Sequence, residues 1–407
     1  MKPETKVELE ERLDGGAKPR LTVISPLLPT SAEPYRGQAI FRTIVAMQRW
    51  AEMNAVCPLL TYPAWKPLQP RSLRYHRNRV DYSPPEMAVN YVKYPALPVV
   101  SRPVNGVTCT LHIWNTVRRY RPEAILAYWL YPEGAAARTL ARWLGVPVIV
   151  GSRGSDLKAI DDPITRWHTS RLVRAADAVL TVSADSRRAA IELGARPEAV
   201  HSIPNGCDTA LFRPLHRQEM RYKLGLALDA ELGVFVGWLS KLKGVRELVE
   251  AMARLSLRRP RLQLVLIGEG ELERELLDRA AGLGLGSRIR LLGKKSSVEI
   301  AEWFGASNFV VLPSYTEGCP NVVIEAISCG RPVVASDVGG VPELLNPACG
   351  ILTPPGDVEA LAASIEEALA RNWDQEEIGR NHRRSWEDVA RETWEVVEAA
   401  RQQRLRR

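Results

Sequence analysis

PSYTEGCPNVVIEAISCGRPVVASDVGGVPELL, residues Pro313 to Leu345, is the stretch whose reading decides the fold. The apolar run from Phe309 to Leu312 just before it reads as a buried strand, Thr316 to Asn321 as a loop, and Val322 to Ser328 as a short helix. Pro320 suits the first turn of that helix and Gly330 its C-terminal cap. A second strand, Pro332 to Ser336, follows at once, so the loop lies at the carboxyl end of a strand in a βαβ unit, where open α/β sheets bind ligands. Free amides at the helix start would face an anion there. Two carboxylates flank this point, Glu317 on the loop and Glu325 one turn inside the helix. Like charges cannot both face a phosphate, so at least one must accept hydrogen bonds from neutral hydroxyls. Glu325 is placed to grip a ribose diol, as an acidic residue does in dinucleotide folds, and Glu317 to face a sugar. A glutamate pair alone reads more readily as two solvated residues; the rest of the chain reverses that.

The pattern of the whole chain is two α/β halves. In the first, strands are expected at Leu21 to Ser25, Val56 to Leu60, Ala124 to Leu130, Pro147 to Gly151, Ala178 to Ser183 and Val200 to Ile203, with a helix from Gln38 to Glu52. The proline-rich, basic segment from Lys66 to Asn105 has no clean period and reads as an insertion on the acceptor side. In the second half, strand Gly233 to Val236 leads through Gly237 into a helix from Gly244 to Leu255, whose Val245, Leu248, Val249, Met252 and Leu255 share one face. Strand Leu262 to Ile267, helix Leu272 to Ala281 and strand Ile289 to Leu292 precede the Pro313 unit. Such alternation means parallel, doubly wound sheets.

The EGCPNVVIE segment, Glu317 to Glu325, resembles the signature of glycosyltransferase family four, in which two glutamates lie eight positions apart around a glycine-containing loop. Four further segments agree in order and spacing: SRGSDL (Ser152 to Leu157), IPNGCDTALFRP (Ile203 to Pro214), FVGWLSKLKG (Phe235 to Gly244) and LVLIGEGELE (Leu264 to Glu273). Glycine turns after strands are common one at a time; five segments in order are specific, and the resemblance runs from about Leu21 onward. It implies an α/β GT-B fold of two Rossmann-like domains facing a cleft. A tail of residues 1–17 is expected to be disordered, and an acceptor domain to span 18–213. A nucleotide-sugar donor domain would span 214–385, and a last helix from Trp386 to Gln403 would cross back onto the first domain. Asn205, Gly206 and Asp208 match the family's interdomain turn and suit a tight turn in any case.

The activity implied is transfer of a sugar, with retention, from a UDP-, GDP- or ADP-sugar to an acceptor hydroxyl in polysaccharide, glycolipid or cell-envelope synthesis. By resemblance, donor-binding positions are Gly237, Trp238, Lys241, Lys243, Gly268, Gly293, Glu317, Gly318, Cys319, Pro320, Asn321 and Glu325. Catalytic candidates are Lys243, Glu317, Arg153 and Asp156, and acceptor-side candidates Gly37 and Arg153. With no Asp-x-Asp motif or histidine cluster, no metal or other cofactor is expected, and Lys243 with the backbone amides after Gly318 is left to stabilise the departing diphosphate.

Three positions depart from the family pattern. Trp238 stands where an arginine is usual, with Lys241 as a substitute cation; packing into the domain core is the competing reading for the indole. Arg153 replaces a histidine and cannot act as a base, so its role would be electrostatic. Asp156 beside it caps the following turn as readily as it takes part in chemistry. The first loop, SPLLPTSAEPYRGQ (Ser25 to Gln38), lacks paired glycines; Gly37 alone supplies close backbone approach.

Composition bounds the same answer. At 407 residues and 45% hydrophobic, the chain can bury two cores. Six cysteines without a CxxC pair argue against a zinc site or disulfide framework and for a reducing cytoplasm. The charged start, MKPETKVELEERLDGG, is no signal peptide, and no run of apolar residues is long enough to span a membrane. From Lys18 to Phe212 there are 25 basic against 14 acidic residues; the remainder has 30 against 33. The basic runs Lys66 to Arg79 and Arg118 to Arg121, interleaved with tyrosines, fit an anionic or lipid-linked acceptor and contact with the inner face of a membrane, against a plainly solvated basic face. Nucleic acid is the weakest partner, for no recognition motif accompanies the charge. Left open beside a transferase are another enzyme on this fold, such as an epimerase or phosphorylase, and a non-catalytic nucleotide-sugar-binding partner protein.

Overall fold

The computed structural model describes residues 17–34, 36–62, 82–97, 101–158, 160, 162–381 and 383–406. The basic run Lys66 to Arg79 and the expected disordered tail up to residue 16 lie outside them. The chain divides into two compact units, one ending at Pro204 and taking back the segment from Trp386, the other running from Asn205 to Ser385.

The first unit is a seven-stranded parallel sheet in the order β3-β2-β1-β4-β5-β6-β7. The strands are β1 (Arg20–Ile24), β2 (Glu52–Thr61), β3 (Val89–Pro95), β4 (Ala124–Tyr128), β5 (Val148–Gly151), β6 (Ala178–Thr181) and β7 (Val200–Ser202). Helices α1 (Gln38–Met47), α2 (Asn105–Tyr120) and α3 (Ala135–Leu144) cover it. Both faces are buried, which is why β4 and β5 read as continuous apolar runs.

Three expectations need correction. The first helix stops at Met47 rather than Glu52, since the chain turns through Trp50 and Ala51 and Glu52 already pairs with Arg20 across β1 and β2. The segment from Lys66 to Asn105, in which no strand was expected, contains β3, the edge strand, whose Val89, Tyr91 and Tyr94 are buried while Asn90, Lys93 and Pro95 face water. Residues 205–213, expected with the first domain, pack in the second unit: Cys207 bridges Ser385, and Asn205 bonds Cys319 and Asn321.

The last helix, Trp386–Leu405, belongs to the first unit. Its Val389, Ala390, Trp394, Val397 and Ala400 enter the same core as Ile40, Phe41, Ile44 and Met47 of α1. Each large side chain so buried stabilises the fold by about 1.5–3 kcal/mol, enough to hold a segment that is remote in sequence.

The second unit is a six-stranded parallel sheet in the order β10-β9-β8-β11-β12-β13. Its strands are β8 (Glu231–Val236), β9 (Leu262–Ile267), β10 (Ile289–Leu291), β11 (Phe309–Leu312), β12 (Val333–Ser336) and β13 (Gly350–Thr353). The five residues expected on one face of the helix after β8, here α4 (Val245–Leu255), are all buried. The chain winds outward from β8 through β9 to β10, then crosses to the other side of β8 for β11. The topological switch point therefore falls between β8 and β11, where this architecture opens a crevice at the carboxyl ends.

Candidate active site

The loops that leave β8 and β11 meet at that switch point. After β8, Gly237 and Trp238 lead into a single 3-10 turn, Lys241–Lys243, and Gly244 in the left-handed conformation starts α4. After β11, residues Pro313 to Pro320 lead into α5 (Asn321–Ser328). The two loops are joined by backbone: Tyr315 N–H donates to the Leu242 carbonyl at 2.9 Å. Gly244 has φ 65°, and a Cβ there would collide with the Pro313 carbonyl. Only glycine lets the loops approach so closely. Gly268, after β9, is held likewise, with φ 140° and no room for a Cβ beside the Gly237 carbonyl; its N–H reaches the Gly293 carbonyl, after β10, at 2.9 Å.

Lys243 and Glu317 are brought together across this point. The Lys243 Nζ lies 2.6 Å from Glu317 Oε1, which also accepts from Ser314 Oγ at 2.7 Å. Glu325 projects from the second turn of α5. Its half-buried carboxylate makes no hydrogen bond among the described residues, and burial pushes its pKa up to about 7. Gly318, Cys319 and Pro320 form the approach to α5, with Pro320 as its N-cap rather than in its first turn, and Asn321 as its first residue.

Trp238 does not pack into the core. It is 48% exposed and donates its indole N–H to Glu271 at 2.8 Å, so it ties the β8 loop to the β9 loop at the rim. Lys241 is exposed and forms no ion pair among the described residues.

Asn205 was read as a turn residue, and its side chain does more. Its Nδ2 donates to the Cys319 carbonyl at 3.0 Å and to Asn321 Oδ1 at 2.8 Å, fixing the loop before α5 from behind. An asparagine–glycine turn signals only local geometry, so this long-range contact could not be read from sequence. Asp208 holds its own turn, accepting from the Ala210 and Leu211 amides.

In the first unit the switch point lies between β1 and β4; Gly37 and Arg153 sit on loops at that carboxyl edge, and Asp156 in the single helical turn Ser155–Lys158 after β5. Gly37, φ 61°, starts α1 against the Leu27 carbonyl, which a Cβ would strike; its close approach is to the loop itself. Asp156 Oδ1 accepts from Ser152 Oγ at 2.6 Å and the Arg153 N–H at 3.1 Å, the capping arrangement. Burial raises its pKa, against those hydrogen bonds. The Arg153 guanidinium lies 4.7 Å above the Tyr128 ring. Sequence reading missed Glu133, just beyond β4. It is buried, with Oε1 3.4 Å from the Tyr94 hydroxyl and Oε2 lacking a hydrogen bond among the described residues, and burial lifts its pKa to about 7. Among the described residues no cluster of three or more His, Cys, Asp or Glu side chains could hold a metal ion.

Residues 216–385 match the family described as Glycosyl transferases group 1, and residues 37–206 match the Glycosyl transferase 4-like domain. The chain belongs to the group 1 glycosyltransferases. This glycosyltransferase is 26% identical over 385 residues to the putative teichuronic acid biosynthesis glycosyltransferase TuaC of Bacillus subtilis, covering 92% of this chain and 93% of that protein. It is 33% identical over 300 residues to D-inositol 3-phosphate glycosyltransferase 2 of Catenulispora acidiphila, 67% of each chain. The match to the D-inositol 3-phosphate glycosyltransferase of Geodermatophilus obscurus, at 33%, spans 60% of this chain and 55% of that protein. Among solved structures it resembles Anabaena HepE in complex with UDP, with TM-score 0.71, 20% identity and coverage of 94% of this chain and 100% of that one. Sucrose-phosphate synthase from Thermosynechococcus elongatus gives TM-score 0.71 at 23% identity, covering 95% and 97%. At such identities the likeness establishes the fold, GT-B. Membership of the family makes the protein a hexosyl-transferring enzyme of glycan biosynthesis that draws on a nucleotide sugar. No described helix is long and apolar enough to cross a membrane.

Proposed function

We propose that the second unit binds a nucleoside-diphosphate hexose at the β8/β11 switch point and that the hexose is transferred with retention to a lipid-linked or anionic envelope acceptor. The observation that carries this reading is the Lys243–Glu317 ion pair across the two loops, with Glu325 eight positions further on in α5. Lys243 and the amides from Gly318 to Asn321 lie on the diphosphate and stabilise the charge that grows on it as the glycosidic bond breaks. Glu325 accepts both ribose hydroxyls. Glu317 holds the ammonium of Lys243 in place and faces the sugar, while Gly237, Gly268 and Gly293 keep the strand ends low beneath the nucleotide. Trp238, tethered to Glu271, lines the rim where an arginine would otherwise reach the phosphates, and Lys241 supplies the replacement charge. The departing phosphate takes the acceptor proton from the same face that the acceptor attacks, which leaves the anomeric configuration unchanged.

UDP is the nucleotide favoured, since solved structures of this fold hold UDP and UDP-glucose. In the first unit, Arg153, fixed above Tyr128, supplies positive potential to an anionic acceptor, and Asp156 shapes its loop. The basic surplus of that unit fits contact with an anionic membrane surface. Incubation of the enzyme with UDP-, GDP- and ADP-hexoses and a membrane glycolipid fraction, with NMR of the product anomer, tests this. Transfer from one donor with its anomeric configuration kept is expected; an inverted product would overturn the front-face route.

A further inference from the structure

At the opposite edge of the first unit's sheet, where β1, β4 and β5 begin, lies a cavity of about 630 Å³. Arg20, Arg118, Arg119, Arg121, Arg401 and Arg404 line it. Among the described residues Glu123 is the one acidic member of the lining, and it is already engaged, accepting from Arg401 Nη1 at 2.8 Å and from the Arg20 N–H at 3.2 Å. Arg401 is further held by Glu398, and Arg404 reaches the Gly145 carbonyl. Arg20, Arg118, Arg119 and Arg121 form no ion pair among the described residues. Six arginines against one glutamate leave the lining with an excess of positive charge, which attracts an anion. Their planar, multi-donor heads match phosphate oxygens.

The same surface carries apolar side chains. Val107 and Leu111 of α2 are 59% and 61% exposed, and Trp143 at the end of α3 is 51% exposed. Val107, Leu111, Trp114 and Arg118 follow one another on a single helical stripe, while Cys109, Ile113 and Val117 face the core. Trp114 packs edge-on to Trp143 at 5.3 Å, and the Arg118 guanidinium lies 5.7 Å from the Trp114 ring. An apolar stripe with paired indoles thus ends at the arginine cavity. Tryptophan with arginine is the composition that settles at the headgroup level of a bilayer.

We propose that this face docks the enzyme on an anionic membrane, the arginine cavity taking the phosphate headgroup of a lipid and the Val107–Leu111–Trp143 patch entering the acyl boundary. A soluble phosphate would match the cavity but leave the adjoining stripe without a function, so the lipid is the ligand the two features select together. The docking face deepens the membrane contact named above, and its arginine cavity lies at the amino ends of the strands, opposite the carboxyl ends where the sugar-transfer site is proposed.

The test is sedimentation of the full chain with vesicles of phosphatidylcholine, alone or mixed with phosphatidylglycerol, and calorimetry with inositol hexakisphosphate as a free polyphosphate. The variants are Arg118→Glu/Arg119→Glu/Arg121→Glu and Leu111→Ser/Trp143→Ser, with Arg119→Gln/Arg121→Gln as a milder form should the first unfold. UDP titration runs beside each as a control, so that failure of the donor reading registers separately. Binding to mixed vesicles is expected to fall about a hundredfold in the triple variant and severalfold in the apolar one, with UDP binding unchanged in both. Equal vesicle binding by the variants, or no preference for phosphatidylglycerol, would overturn the proposal. So would tight hexakisphosphate binding without vesicle binding, which would make the cavity a site for soluble phosphates.

Discussion

Lys243 and Glu317, 74 positions apart in sequence, meet at 2.6 Å because the two strands that launch their loops, β8 and β11, are neighbours in the sheet. The ion pair aims the ammonium at the switch point, where a flexible lysine would otherwise sample many rotamers. Lys243→Ala is therefore expected to lower kcat/KM for the donor about a hundredfold, roughly 3 kcal/mol of transition-state stabilisation. Glu317→Gln keeps an acceptor for Ser314 but loses the charge that holds Lys243, and is expected to reduce kcat more than it raises KM. Steady-state kinetics of both variants check this; a change in KM alone would assign the pair to ground-state binding.

Burial lifts the Glu325 carboxyl to about 7, so the proposed donor site is expected to bind in a pH-dependent way. With ribose hydroxyls donating to the ionised form, as proposed, nucleotide affinity is expected to rise about tenfold from pH 6 to pH 8 in calorimetry. Glu325→Gln should flatten that profile and weaken binding about a hundredfold.

Stability runs the other way at the same residue. A carboxyl whose folded pKa is raised contributes stability that is complete below its unfolded pKa, near 4.5, and is lost as pH rises through about 7. Without nucleotide, Glu325→Gln is expected to melt several degrees higher than the natural protein at pH 8 and close to it at pH 5. Glu133, also raised to about 7, adds a slope of the same sign in both proteins, so the difference between them isolates Glu325.

Gly244→Ala would place a Cβ against the Pro313 carbonyl at φ 65°. The loops after β8 and β11 must then part, at a cost of about 2–3 kcal/mol, and the Lys243–Glu317 contact goes with them. Urea denaturation and donor kinetics should decline together. Asn205→Ala, by contrast, removes two hydrogen bonds behind α5 and is expected to cost about 1–2 kcal/mol in stability and to raise donor KM severalfold.

The βαβ unit around Pro313 was legible because an apolar run, a glycine-bearing loop and a second apolar run follow each other with no ambiguity of period. The face of α4 was legible for the same reason. The end of α1 was not, since residues 48–52 contain neither glycine nor proline and the helix stops only because Glu52 enters the sheet. β3 was hidden by the prolines around it, although the apolar Val89 and Tyr91 already alternate with the polar Asn90. At the candidate site, a pattern in sequence singled out Lys243, Glu317 and Glu325. It could not reveal that the first two touch, that Asn205 braces their loop, or that Glu133 is buried, because each depends on strands far apart in sequence becoming neighbours.

A single nucleotide site built from Lys243 and Glu325 at the β8/β11 switch point requires both side chains for donor affinity. Calorimetric titration of UDP, GDP and ADP into the natural protein, Lys243→Ala and Glu325→Gln measures this. One nucleotide, UDP by preference, is expected to bind the natural protein, and each substitution to weaken it at least tenfold. Binding of that nucleotide with undiminished affinity by both variants would place the donor elsewhere and contradict it.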